Sequence, residues 1–333
     1  MSKVVVFKID NGNFEEGFSG TVQFREEGGS VYREENISLP PLSEIPELYH
    51  KFKENYRNLE KVRRVINLET RGFDVDPNQN TNVSTLETCR EAVQEFENCV
   101  EGWFNHPFTE QLRGYIENEV SKDESARVII QTNNEILKRI PWHLWRLFRN
   151  RRKAWISLGA KYNSPSKPFN SPVKILAILG DDEGINLHQD ARMLKNLIGA
   201  KVEVLKQPTR QQLSNKLRAE SWDILCFAGH SKTSESGNDG IIQISNIDSP
   251  SLRDLRNAFT DAIDNGLNLA IFNSCDGLGL AHKLTELGIP RTIVMREPVP
   301  NKVAQEFLHE FLHLFSQGEK FHLAVRKAQI KLE

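Results

Sequence analysis

From residue 173 onward, short and nearly continuous apolar runs alternate with amphipathic stretches that have helical spacing. Apolar runs without polar alternation are typical of strands buried on both faces, as in parallel sheets covered by helices. Such strands are joined by right-handed helical crossovers. The sequence therefore predicts an α/β fold with a mostly parallel sheet flanked by helices. The predicted strands are 173–179, 202–205, 223–228, 240–244, 268–273 and 291–295, and the predicted helices are 186–198, 209–219, 251–265, 277–287 and 300–315.

The first hundred residues have a mixed character and predict a separate N-terminal α+β domain over 1–104, whose role the sequence does not indicate. Residues 3–9 and 19–24 have the composition of paired strands. A helix is predicted to open near Ser43, and a second one to cover 84–103, because apolar residues recur there at helical spacing.

The remaining residues, 105–333, are predicted to form the second domain. Within it, 105–170 is a lead-in segment that ends in a Pro- and Ser-rich linker, and 171–333 is the core. The run 146–153 holds five basic residues in eight, which indicates a solvated helix end or, alternatively, a contact with a partner or nucleic acid.

Composition excludes several classes of protein. The net charge of −2 over 333 residues gives no global attraction to nucleic acid, and no apolar run is long enough to span a bilayer. The four cysteines show neither a disulfide framework nor a zinc pattern, so we expect a cytoplasmic protein without metal or cofactor. Because the chain ends at Glu333 inside an amphipathic run without a stop signal, we expect either a natural C-terminus or a truncated piece of a longer protein.

Two reactive residues end two of the predicted strands. His230 follows the run 223–228, and Cys275 follows the run 268–273. The carboxyl edge of an open parallel sheet is where ligands bind, so an imidazole and a thiol are expected there together. A thiol beside an imidazole is a candidate nucleophile and base for acyl transfer. Either residue alone is more often structural, since cysteine is commonly buried in cores.

The order of these motifs resembles the CHAT domain, a caspase-like module among the clan CD cysteine peptidases. The matching segments are FAGHS (227–231), AIFNSCDGLGLA (270–281), RTIVMREPV (291–299) and EILKRIPWHLW (135–145). The resemblance covers roughly 105–333 and implies a caspase-like sheet. Residues 1–104 are similar to the region that precedes CHAT domains in some cyanobacterial multidomain proteins. In those proteins the domain can precede a membrane-anchored sensor, so the resemblance implies the cytoplasmic part of a longer, membrane-anchored protein.

The resemblance implies catalytic roles for two side chains and two backbone groups. Cys275 would be the nucleophile and His230 the general base, acting as a dyad. The backbone N–H groups of Cys275 and Ser231 would form the oxyanion hole. Most relatives have glycine at the position of Ser231.

Acidic residues flank the expected cleft. The resemblance places Asp181, Asp182, Glu183 and Asp276 near the mouth of the primary specificity pocket. Carboxylates there would favour arginine or lysine at the P1 position of a substrate through charge-assisted hydrogen bonds. The alternatives are a solvated loop for the first three residues and a helix cap for Asp276.

Three hypotheses follow. The first is a cysteine endopeptidase that acts on a protein or peptide and is regulated by an activating partner or an attached sensor. The second is a catalytically silent caspase-like interaction module that passes on a signal. The third is another cysteine-dependent hydrolase of the glutaminase kind, against which stands the absence of a Gly-x-Cys-x-Gly elbow around Cys275.

Overall fold

The computed structural model describes residues 3–69, 86–151, 153–159, 169, 172–181, 187–233, 240–274, 277–296, 299 and 301–332. These residues belong to two compact units, Met1–Gly159 and Ala160–Glu333.

The first unit combines a mixed sheet with helices, as an α+β domain does. Its described strands form one sheet in the order β3-β2-β1-β4-β5, in which β1 pairs antiparallel with β2 and parallel with β4. The strands are β1 (Lys3–Asn13), β2 (Gly17–Glu26), β3 (Val31–Leu39), β4 (Ala126–Thr132) and β5 (Ala154–Leu158). The helices are α1 (Ile45–Glu69), α2 (Leu86–Phe104), α3 (Pro107–Glu119), α4 (Glu135–Arg139) and α5 (Arg146–Asn150), and a 3₁₀ turn covers Trp142–Leu144.

The core of the first unit is rich in aromatic side chains. Alternate residues of β1, such as Phe7, point to one face of the sheet and are buried there. The rings of Phe104 and Trp145 stack on each other with centroids 5.6 Å apart, and both are fully buried. Large aromatic rings of this kind supply much of the apolar area that a core removes from water.

The division between the two units falls after residue 159, whereas the sequence analysis placed a boundary after residue 104. The reason is strand pairing. Strand β4 pairs with β1, and β5 pairs with β4, so both strands complete the sheet of the first unit. Much of the lead-in segment 105–170 therefore packs with the N-terminal residues.

One arginine of the basic run 146–153 is structural. Arg151 is only 4 % exposed, its Nε donates to the carbonyl of Val120, and its guanidinium lies 3.1 Å from the Glu117 carboxylate. A solvated helix end is therefore the wrong interpretation for this residue.

The second unit has the predicted α/β architecture. In its described residues, five parallel strands form a sheet in the order β12-β11-β8-β6-β7, and β9 and β10 form a separate antiparallel pair. The strands are β6 (Val173–Leu179), β7 (Ala200–Lys206), β8 (Ile224–Ala228), β9 (His230–Thr233), β10 (Gly240–Gln243), β11 (Leu269–Asn273) and β12 (Arg291–Val294). The helices are α6 (Leu187–Lys195), α7 (Arg210–Ala219), α8 (Arg256–Asp264), α9 (Leu278–Glu286), α10 (Asn301–Ser316) and α11 (Phe321–Ile330).

The central strands of this sheet are buried throughout, which explains their continuous apolar sequences. Every residue of β8 and of β11 is buried. Phe227 and Phe272 lie in the larger core of this unit, whereas Ala228 packs in a smaller cluster with Leu179 and Leu187. The predicted parallel sheet between helices is thus confirmed.

No helix in the described part of the chain is long and apolar enough to cross a membrane. The described cysteines, Cys89, Cys99 and Cys226, carry free thiols.

Candidate active site

The two strands that precede His230 and Cys275 are neighbours in the sheet. Strands β8 and β11 pair in parallel, and Ala228 is the partner of Asn273 at their carboxyl ends. His230 and Cys275 each follow these partners by two positions in the sequence. The predicted side-by-side arrangement of the two strands is confirmed.

His230 is the first residue of β9 and is partly buried. Its strand runs antiparallel to β10, where Gln243 is its direct partner. The two strands form an antiparallel hairpin, and its residues 234–239 lie outside the described residues. His230 consequently belongs to a two-stranded element that is separate from the five-stranded sheet.

A hydrogen bond between two serines joins the histidine segment to the cysteine segment. The Ser231 hydroxyl donates to the Ser274 hydroxyl across 2.7 Å. Ser231 directly follows His230 and Ser274 directly precedes Cys275, and Ser274 is only 6 % exposed. The two motifs therefore come together in space, although they are far apart in the sequence.

Cys275 and Asp276 lie outside the described residues, but Ser274 before them and Gly277 after them make specific contacts. Gly277 donates its backbone N–H to the carbonyl of Met295 across 2.9 Å. A Cβ atom at Gly277 would lie 2.5 Å from the Cβ of Val294, so only glycine fits against β12 at that point. Helix α9 begins at the next residue, Leu278.

The backbone of Ser231 is compatible with the role of an N–H donor. Ile242, its partner in β10, donates its own N–H to the carbonyl of Pro250 on the other side of that strand. Directly opposed residues of an antiparallel pair either both bond to each other or both point away. The N–H of Ser231 therefore points away from β10. Among the described residues other than glycine, a positive φ occurs at Gln207 alone, so serine is unstrained at this position.

Of the four acidic residues predicted near the pocket, only Asp181 belongs to the described residues. It lies just beyond β6 and is 6 % exposed. Its carboxylate accepts a hydrogen bond from Nε2 of Gln243 at 2.6 Å, and its N–H donates to the Gln243 carbonyl at 3.1 Å. Asp182 and Glu183 lie outside the described residues, as Asp276 does.

Cys226 lies in the same sheet, and its surroundings keep its thiol protonated. It lies in the middle of β8 and is 1 % exposed. Burial, together with the negative charge of Asp190, raises the pKa of its thiol far above the usual range. A thiol that stays protonated is a poor nucleophile. Cys226 is therefore a core residue.

The sequence analysis did not find the buried carboxyl group of Asp190 on α6. Gln305 on α10 donates to one of its oxygens across 2.7 Å, and its other oxygen is buried without a hydrogen-bond partner in the described structure. Burial raises the pKa of Asp190. The contact joins residues 115 positions apart, so no local sequence pattern could have indicated it.

We expect Asp190→Asn to change how the stability of the second unit depends on pH. Above the raised pKa of Asp190, the folded protein holds a buried negative charge that destabilises it. As the pH falls through that pKa, the folded state takes up a proton that the unfolded chain, with an ordinary value of 3.8, does not yet bind. The stability of the variant relative to wild type should therefore fall as the pH is lowered.

Hydrogen exchange of β8 amides at several pH values measures this difference in the second unit alone. Asp264→Asn is the matched control, because Asp264 is exposed on α8. A stability difference between Asp190→Asn and wild type that does not change between about pH 4 and pH 7 would contradict the prediction.

Comparison with known families gives a match within the second unit. The family model of the CHAT domain matches residues 185–333. This part of the chain is a CHAT domain. The match confirms the resemblance over these residues, which include both His230 and Cys275, whereas the segment 135–145 that also carried the resemblance lies outside it. CHAT domains are caspase-like and related to peptidases. No curated protein matches the chain.

Proposed function

We propose that the CHAT domain is a cysteine endopeptidase that cleaves peptide bonds with Cys275 as nucleophile and His230 as general base. The observation that carries this proposal is the hydrogen bond between Ser231 and Ser274. It holds the residue after the histidine against the residue before the cysteine. This contact supports a dyad, because a nucleophile and its base have to lie close together in one site.

The proposed reaction proceeds in two stages. The Cys275 thiol gives its proton to the His230 imidazole, and its sulfur attacks the carbonyl carbon of the scissile bond. The N–H groups of Ser231 and Cys275 stabilise the oxyanion, and the carbon–nitrogen bond breaks as the imidazolium protonates the departing amine. A water molecule, deprotonated by His230, then hydrolyses the thioester, which releases the carboxylic acid and restores the thiol.

We also propose that the substrate carries arginine or lysine at P1 and that a partner or an attached sensor regulates cleavage. The acidic residues around the expected pocket support the basic preference, because carboxylates pair with such side chains. The position of His230 on a separate two-stranded element supports regulation. Such an element can rearrange when its contacts with the ends of β6 and β8 change.

Incubation of the protein with an unbiased peptide library tests the proposal. We expect cleavage after arginine or lysine by the wild type and none by Cys275→Ala, because the thioester cannot form without the sulfur. Cys99→Ala is the matched control, since Cys99 is a partly buried thiol in α2 of the first unit. It should cleave like the wild type.

A second arm uses electrophilic peptide probes with arginine or aspartate at P1. Labelling of Cys275 that requires His230 supports the peptidase. If neither cleavage nor labelling occurs, with or without candidate activators, the peptidase is excluded and the silent interaction module is supported. Cleavage only at glutamine side chains would instead support the glutaminase-like hydrolase.

A further inference from the structure

The side chain of Gln243 lies beside that of His230. The two residues are direct partners in the antiparallel pair of β9 and β10. Directly opposed residues project from the same face of such a pair, with Cβ atoms about 4.5–5.5 Å apart. Whatever fixes the side chain and backbone of Gln243 therefore also limits where His230 can lie.

Asp181 holds Gln243 at two points. The Asp181 carboxylate accepts from the Gln243 side-chain amide at 2.6 Å, and the Asp181 N–H donates to the Gln243 carbonyl at 3.1 Å. The first of these bonds has a charged acceptor, and it is shielded from water because Asp181 is buried. Hydrogen bonds with one ionised partner are stronger than neutral ones. We call this two-point contact between Asp181 and Gln243 the clamp.

Close backbone packing supports the clamp. A Cβ atom at Gly180 would lie 2.3 Å from the carbonyl oxygen of Gln243, and one at Gly229 would lie 3.2 Å from the Cα of Gly180. Gly180 also donates its N–H to the carbonyl of Ala228 across 2.8 Å. The ends of β6 and β8 and the end of β10 therefore form one closely packed block next to His230.

We infer that Asp181 and Gln243 are positioning residues for His230. In this inference, the buried carboxylate at the end of β6 holds the Gln243 amide, and Gln243 holds the adjacent imidazole in the orientation that the reaction needs. The inference rests on the proposed function for its catalytic consequence. It assigns to Asp181 the positioning of His230 and not a place in the P1 pocket. The two roles predict different effects of substitutions at Asp181 on kcat and KM.

Two variants test the clamp directly, and a third serves as their control. Gln243→Glu places two carboxylates against each other and should push the hairpin away from β6. The double variant Asp181→Asn/Gln243→Glu restores the hydrogen bond with reversed polarity, because the new amide donates to the new carboxylate. Gln211→Glu is the matched control, since Gln211 is an exposed residue on α7 of the same unit.

The first readout is the NMR signal of the His230 ring in histidine-labelled protein, assigned with His230→Gln. It reports the position of the imidazole whether or not the protein is a peptidase. We expect the signal to shift in Gln243→Glu and to return in the double variant. A signal that stays unchanged in Gln243→Glu, or that does not return in the double variant, overturns the clamp.

The second readout is cleavage of the best peptide from the library. We expect kcat to fall by about tenfold or more in Gln243→Glu with little change in KM, since a small misplacement of a catalytic group is costly. The double variant should recover to within about threefold. If Asp181→Ala instead raises KM for arginine and lysine substrates and leaves kcat unchanged, Asp181 belongs to the pocket and the clamp is wrong. If the NMR signal behaves as expected but wild type shows neither cleavage nor probe labelling, with or without candidate activators, the clamp stands and the proposed peptidase fails.

Discussion

His230→Ala is expected to lower kcat/KM for peptide cleavage by about 10²–10⁴-fold, the usual contribution of a general acid and base. Without the imidazole, the Cys275 thiol has no nearby base in the proposed mechanism, and the departing amine has no acid. The effect should fall mainly on kcat, because His230 contacts the reacting atoms in the proposed mechanism. Substrate side chains would still bind their pockets.

Kinetics with the best library peptide measure this loss, and alkylation of Cys275 by iodoacetamide measures the reactivity of the thiol directly. His309→Ala is the matched control, because His309 is an exposed histidine on α10 of the same unit that stacks on His313. Activity of His230→Ala within about threefold of the control would exclude His230 as the base.

Gly180→Ala is expected to destabilise the second unit by forcing two backbone segments apart. Its Cβ would lie 2.3 Å from the Gln243 carbonyl oxygen and 3.1 Å from the Phe227 ring. The carbonyl belongs to the backbone of β10, so β10 and the end of β6 must move apart. Overpacking of this kind costs about 1–3 kcal/mol. Displacement of the hairpin by about 1 Å would also lower cleavage by about 10²-fold.

Chemical denaturation measures the stability, and hydrogen exchange of β10 shows whether the hairpin has loosened. Gly114→Ala is the matched control, since nothing lies within 4 Å of a Cβ at this glycine in α3. Alanine there should stabilise the first unit by about 0.5–1 kcal/mol, because glycine weakens a helix interior. Equal behaviour of the two variants would show that the backbones at Gly180 and Gln243 are not in close contact.

The edge strand β3 could not be predicted from the spacing of apolar residues in the sequence. Its burial pattern is mostly exposed, with only Ile37 and Leu39 buried. A strand with one neighbour and few core residues carries little apolar signal, and charged residues are common on such edges. The sequence analysis therefore did not predict it, although it found the buried strands β1 and β2 beside it.

Three side-chain pairs that define the surroundings of the candidate site were also beyond the reach of the sequence. Ser231 and Ser274 are 43 positions apart, Asp181 and Gln243 are 62 apart, and Asp190 and Gln305 are 115 apart. Each pair consists of ordinary polar residues that fit equally well on a surface. Their contact depends on which strands and helices the fold places next to each other.

Local pattern alone determined the α/β class of the second unit, the parallel run of its central strands, and the placement of His230 and Cys275 after two of them. These follow from short-range physics, because fully apolar runs of strand length have to be buried on both faces. Only the tertiary structure decided the register of β8 against β11, the completion of the first sheet by β4 and β5, and the hydrogen bond of Asp181 to Gln243 beside His230. Those contacts join distant parts of the chain, and packing of the whole fold selects them.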